Sequence, residues 1–243
     1  MLKQRQLPIC VMVLLSCLTR LTGQAVVTVR GRVEVEGVHH TRHQQLPTTV
    51  VWLAPVDSAV DNLKAQDPAA GLRLVQKNKS FEPHILVVPV GTVVEFPNRD
   101  PFFHNVFSYF EGKRFDLGLY EAGSSRMVHF DRAGISYIFC NIHPEMSAVI
   151  VTLATPLYAI SNASGQLSIP NVPFGRYTLH IWNENTAPEA ALTTTRDITI
   201  SENAQSLGVI TVAAPDAGAM AHKNKYGRNY DPPAPDNPAY PQH

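Results

Sequence analysis

The chain is poor in cysteine, in net charge and in long apolar runs. Only three of its 243 residues are cysteine. Two of them, Cys10 and Cys17, fall in an N-terminal stretch that reads as a leader, so Cys140 would stand alone once that stretch is removed. An unpaired thiol in an oxidising compartment calls for a reason. Twenty Lys and Arg balance twenty Asp and Glu, and no dense basic tract occurs. That argues against a nucleic-acid partner, which usually meets a basic stripe, and gives no electrostatic pull toward anionic lipid. Outside the leader no apolar run approaches the roughly 20 residues of a membrane-spanning helix, so no membrane span is expected. There is no HExxH zinc motif, no GxSxG elbow and no phosphate loop. The chain is therefore read as a non-enzyme.

The leader itself has three parts. Lys3 and Arg5 give a short positive region, ICVMVLLSCL (9–18) an apolar one with Ser16 its only polar residue, and Gly23 and Ala25 the small residues of a cleavage site. Residues 1–25 are thus expected to be a signal peptide, placing the mature chain in the periplasm or otherwise outside the cytoplasm. The run LLSC, ending at Cys17, resembles a bacterial lipoprotein signal and would make Cys17 a lipid anchor; simple cleavage after Ala25 is preferred.

What the sequence does contain is period-two hydrophobicity with frequent turns. VVTVRGRVEV (26–35), TTVVWLAP (48–55), ILVVPVGTVVEF (85–96, two strands about a Pro-Val-Gly bend), HNVFSYF (104–110), FDLGLY (115–120), SRMVHF (125–130), ISYIFC (135–140) and AVIVTL (148–153) read as strands. QLSI (166–169), RYTLHIW (176–182), DITI (197–200) and LGVITV (207–212) follow. Only residues 57–74 have room for a short helix. The fold class is all-β, sandwich or barrel. The last thirty residues are rich in Pro, Ala and polar groups without apolar period, so 214–243 is expected to be a disordered or loosely docked tail.

The remaining cysteine lies in CNIHPEM (140–146), with a histidine and a methionine at even spacing. A copper site that moves electrons needs donors acceptable to both Cu(I) and Cu(II). Two imidazoles and a thiolate in a plane, with a weak axial thioether, meet that need. The loop supplies Cys140, His143 and Met146. His104, in PNRDPFFHNVFS (97–108), is the candidate for the missing imidazole, since a strand beginning after that turn can sit at the same end of a sandwich.

From about residue 79 to 153 the chain resembles a cupredoxin, the blue-copper fold of plastocyanin and amicyanin, through VGTVVEFPNRD (90–100), HNV (104–106) and GISYIFCNIHPEM (134–146). The Cys-x2-His-x2-Met spacing is similar to that of amicyanin. The resemblance implies a Greek-key sandwich, one type 1 copper ion, His104, Cys140 and His143 as equatorial ligands and Met146 as axial ligand. It also implies that Asn105 ties the His104 strand to the cysteine loop by hydrogen bonds. Where such loops often carry proline, two residues after the cysteine, this chain has Ile142. Its N–H is expected to approach the sulfur and favour Cu(I).

A second resemblance covers the flanks. YAISNASGQLSIPNVPFGRYTLHIW (158–182) looks like the second half of a carboxypeptidase-regulatory-like, transthyretin-type sandwich, and VRGRVEVEG (29–37) with TTVVWLAP (48–55) like its first half. Asn162-Ala163-Ser164 stands in place of the usual aspartate-rich turn. The expected organisation is nested: 26–56 and 154–213 as the split sandwich, 57–78 a linker, and 79–153 the copper domain inserted between them. The alternative is that 26–55 simply adds strands to the cupredoxin. The whole arrangement is similar to bacterial exported proteins of methylamine-utilisation type.

Other residues have blander readings. His39, His40 and His43 are expected to form a polar loop, since no acid or cysteine completes a ligand set. His84 is expected in a structural or surface role, His129 and His180 on the exposed surface, Trp52 and Trp182 in sandwich core, and Met127 too far from the loop to replace Met146. Phe102 and Phe103, beside His104, are equally read as loop packing or as an apolar docking patch. The expected function is one-electron transfer between protein redox partners. The alternatives are copper delivery without electron transfer, or a scaffold with structural copper.

Overall fold

The computed structural model describes residues 25–36, 46–56, 71–109, 112–185, 194–213 and 222–230. Among them every regular element is a strand. The leader with Cys10 and Cys17, the histidines at 39, 40 and 43, and residues 57–70 lie outside the described residues. Residues 71–74 are not helical.

The first and last strands fall in one pair of sheets. β1 (Val26–Val35) pairs antiparallel with β13 (Gln166–Pro173) and parallel with β16 (Ser206–Val212). β2 (Thr49–Pro55) lies between β12 (Tyr158–Ile160) and β14 (Gly175–Asn183), which pairs onward with β15 (Thr194–Ile200). Residues 26–55 thus find their partners beyond residue 157. Alternation in these strands turns Val29, Val33, Leu53, Leu167, Ile169, Tyr177 and Leu179 into one shared core, as period-two patterning requires. Gly165 closes the turn before β13 at φ +77 and accepts a hydrogen bond from the Val33 N–H. A Cβ there would run into the Val33 carbonyl.

Between β2 and β12 the chain builds a second sandwich. Its main sheet has the order β5 (Ile85–Pro89), β11 (Ser147–Leu153), β10 (Gly134–Cys140), β7 (His104–Ser108) and β8 (Phe115–Tyr120). Against it stand the pair β6 (Thr92–Pro97) and β9 (Ser125–Phe130) and the hairpin β3 (Val75–Lys77) and β4 (Ser80–Glu82). Phe81, Phe96, Phe130, Ile138, Ala148 and Ile150 pack between the layers with Cys140 and Met146. The stretch expected to be linker up to residue 78 is strand from Val75. A three-residue strand is too short to show a period, and this one is specified by pairing with β4 rather than by its own pattern.

β10 and β11 are buried on both faces, which is why ISYIFC and AVIVTL read as nearly continuous apolar runs. One face carries Ile138, Cys140, Ala148 and Ile150. The other carries Tyr137, Phe139, Val149 and Val151 and packs with Val50 and Trp182 of the outer sandwich. Trp182 is fully buried there, and its indole N–H donates to the Tyr137 hydroxyl at 3.1 Å. The sheet that ends in Cys140 is therefore backed by the other sandwich.

Part of the stretch expected to be disordered or loosely docked lies against this unit. Residues 222–230 lie on the 140–146 loop, held by polar contacts and an aromatic stack. The remainder of 214–243 lies outside the described residues.

Candidate metal centre

Cys140 is the last residue of β10 and His104 the first of β7, and the two strands are paired, with Cys140 opposite Val106. The 140–146 loop turns tightly between β10 and β11. The Cys140 N–H donates to the Met146 carbonyl and the Met146 N–H to the His143 carbonyl. This turn carries His143 back over Cys140.

His104, Cys140 and His143 are all buried, and their ligating atoms lie within 4.8 Å of one another. The Cys140 Sγ is 3.7 Å from His104 Nδ1 and 3.6 Å from His143 Nδ1, and the two Nδ1 atoms are 3.1 Å apart. Around one first-row ion bound at about 2.3 Å to sulfur and about 2.0 Å to nitrogen, S···N separations of about 3.5–3.8 Å follow. The cluster already has that size. Met146 is fully buried in the same core as Cys140. A thiol and two imidazoles form a donor cluster that suits a first-row metal ion such as copper.

The middle unit is a β-sandwich with this donor cluster at one end. No protein-family model matches the chain, and no curated protein matches it. Among solved structures, a purple cupredoxin from Nitrosopumilus maritimus is 22% identical, with a TM-score of 0.31 over 34% of this chain and 99% of its own. A Cu-containing nitrite reductase from Thermus scotoductus is 25% identical, with a TM-score of 0.33 over 41% of this chain and 27% of its own. An amicyanin variant in its oxidised state is 22% identical, with a TM-score of 0.32 over 34% of this chain and 81% of its own. With TM-scores this low, the metal-site reading rests on the donor cluster itself.

The groups around the cluster fix its chemistry. His104 Nε2 lies 2.8 Å from Asp100 Oδ2, so its N–H points to the carboxylate and Nδ1 turns its lone pair to the site. Asp100 is itself held. The Asn78 N–H donates to its Oδ1 at 2.6 Å and the Lys79 N–H to its Oδ2 at 3.0 Å. These two residues form the tip of the β3–β4 hairpin, both at positive φ, 54 and 52, the backbone of a tight two-residue turn. Burial alone would push the Asp100 pKa up. The Lys79 N–H, the His104 ring and the Asn78 N–H outweigh it and hold the carboxyl below its ordinary value.

Burial pushes the His104 pKa down, with Asp100 pulling the other way. Burial, with the His104 ring beside it, pushes His143 down to about 4. Both imidazoles are thus held neutral near pH 7, the form that ligates metal. Burial pushes the Cys140 thiol up, while the N–H groups of Ile142, Asn105 and His143 act to lower it. The Ile142 N–H is thus among the groups that favour the thiolate. Ile142→Pro removes this donor, and the expected result is a lower reduction potential by voltammetry of the copper-loaded chain. An unchanged potential would assign the N–H no role.

Asn105 reaches the loop through its backbone: its carbonyl accepts the Asn141 N–H at 3.1 Å. Its side-chain amide donates instead to Asp116 at 2.7 Å. Phe102 packs against both imidazoles, with ring centroids 5.2 Å from His104 and 5.6 Å from His143, while Phe103 is exposed. Met127 is exposed on β9 and His84 and His129 are exposed. His180, expected at the surface, is half-buried and stacks on Trp52 with ring centroids 5.0 Å apart. The reading of the sequence missed Asp100. Its position four residues before His104 was visible, but the hairpin that anchors it was not.

Proposed function

We propose that the chain is a one-electron carrier that binds a single type 1 copper ion through His104, Cys140, His143 and Met146. The observation that carries this reading is the buried thiol with two imidazole Nδ1 atoms at 3.6 and 3.7 Å. Copper, when bound, supplies the Cu(II)/Cu(I) couple. The protein's part is to keep the donors still as charge changes. His104 is braced by a fixed carboxylate, and Cys140 ends a strand buried on both faces. Such preorganisation keeps rearrangement small. His143, on the loop, is the ligand through which a partner couples. The partners are redox proteins, and the reading involves no catalytic turnover.

We place the chain outside the cytoplasm on its leader-like N-terminus. Among the described residues no helix is long and apolar enough to cross a membrane. The outer sandwich is read as the carboxypeptidase-regulatory-like module, supported by the pairing of β1 and β2 with strands that follow the copper unit. Protein-film voltammetry of the copper-loaded chain tests the carrier role. A reversible one-electron wave is expected, with copper retained through repeated cycles. Copper released on reduction would favour delivery instead.

A further inference from the structure

The segment 222–230 touches the candidate ligand loop at several points. The Tyr230 hydroxyl donates to the Cys140 carbonyl at 2.7 Å. His222 Nε2 donates to the Pro144 carbonyl at 3.0 Å, and its ring stacks on Phe139 with centroids 3.9 Å apart. The Lys225 N–H donates to the Asn141 side-chain oxygen at 3.0 Å. The Lys225 ammonium lies 2.8 Å from Asp116 Oδ2, and the other oxygen of that carboxylate accepts from Asn105. These contacts fall on both sides of His143, at 139–141 and at 144, and reach the strand that begins with His104.

The segment is built to do this. Asn224 closes a turn on itself: its side-chain oxygen accepts the N–H groups of Tyr226 and Arg228, and its carbonyl accepts that of Gly227. His222 Nδ1 is 3.1 Å from the Tyr230 hydroxyl, so the two ends of the segment meet over the loop. Without the segment, few backbone bonds would hold the loop: those of Cys140 with Met146, Met146 with His143 and Asn141 with Asn105. Short exposed turns open locally at little cost unless something ties them down.

We propose that residues 222–230 are a clamp on the 140–146 loop, with Tyr230 and His222 as positioning residues that keep Cys140 and His143 in their metal-ready arrangement. The purpose of the clamp rests on the copper reading; its geometry does not. Loss of the clamp lets the loop open more often, which exposes the Cys140 sulfur in the metal-free chain and speeds copper loss from the loaded one.

The test uses the full chain with Tyr230→Phe, His222→Ala, and Tyr226→Phe as a control in the same segment. Tyr226 is exposed, and the Lys225 ammonium lies over its ring, which the substitution keeps. Alkylation of Cys140 by iodoacetamide is followed in the metal-free protein by peptide mass, and copper loss to excess EDTA in the loaded protein by absorbance. One lost hydrogen bond predicts a rise of about three- to tenfold in both rates for Tyr230→Phe. His222→Ala, which also loses the stack on Phe139, should give about tenfold or more. Tyr226→Phe should match the unmodified chain. Wild-type rates in both Tyr230→Phe and His222→Ala would overturn the clamp. A chain that takes up copper without a thiolate band overturns the carrier reading, while accelerated alkylation in that same protein still supports the clamp.

Discussion

Replacing Asp100 by Asn is expected to weaken copper binding by about 10- to 100-fold, the usual cost of removing a hydrogen-bond partner of a metal-bound histidine. The Asn78 and Lys79 N–H groups and the His104 ring all converge on this one carboxylate. An amide of the same shape has one accepting oxygen and turns an NH2 group toward donors. At least one donor is then left without its partner, at up to about 1–3 kcal/mol. The imidazole also loses its negative neighbour, so Nδ1 becomes a poorer donor and the reduction potential should rise. Competition with a chelator of known affinity reads the first effect and voltammetry the second. A merely structural role predicts lower stability with unchanged potential, which is the outcome that would count against this assignment.

Trp182→Ala is expected to cost about 3–5 kcal/mol, the usual range for emptying a buried tryptophan site. The residue is fully buried where the outer sandwich meets β10 and β11. Because those strands pack on both faces, the two sandwiches should unfold together, in one cooperative transition. The Ala variant should separate that transition into two, with the middle unit less stable. Trp182→Phe, which keeps most of the packing but removes the N–H donated to Tyr137, should cost only about 1 kcal/mol for the hydrogen bond. Denaturant unfolding monitored by both fluorescence and copper absorbance distinguishes these cases. A single unshifted transition in Trp182→Ala would mean that the two sandwiches do not support one another.

The legible parts of this protein are those specified locally. CNIHPEM holds three of the four proposed ligands within seven residues, so their proximity follows from chain connectivity. β1, β8 and β9 are long enough for their alternation to mark their ends. The illegible parts depend on distant partners. β3 and β4 are three residues each, and nothing in QKNKSFE announces that its turn N–H groups will grip Asp100. The 222–230 segment carries no apolar period because it is held by hydrogen bonds and one ring stack, which leave no periodic trace. His180 was misplaced for a related reason. Alternation puts it on the face away from its core neighbours, but Trp52 on the paired strand covers that face.

The most direct test of the central claim is the visible absorption spectrum of the mature chain loaded with Cu(II). An intense blue thiolate-to-copper charge-transfer band is expected, bleached by ascorbate and missing in Cys140→Ser. A colourless protein with copper confirmed bound would contradict the type 1 assignment, and with it the proposed electron carrier.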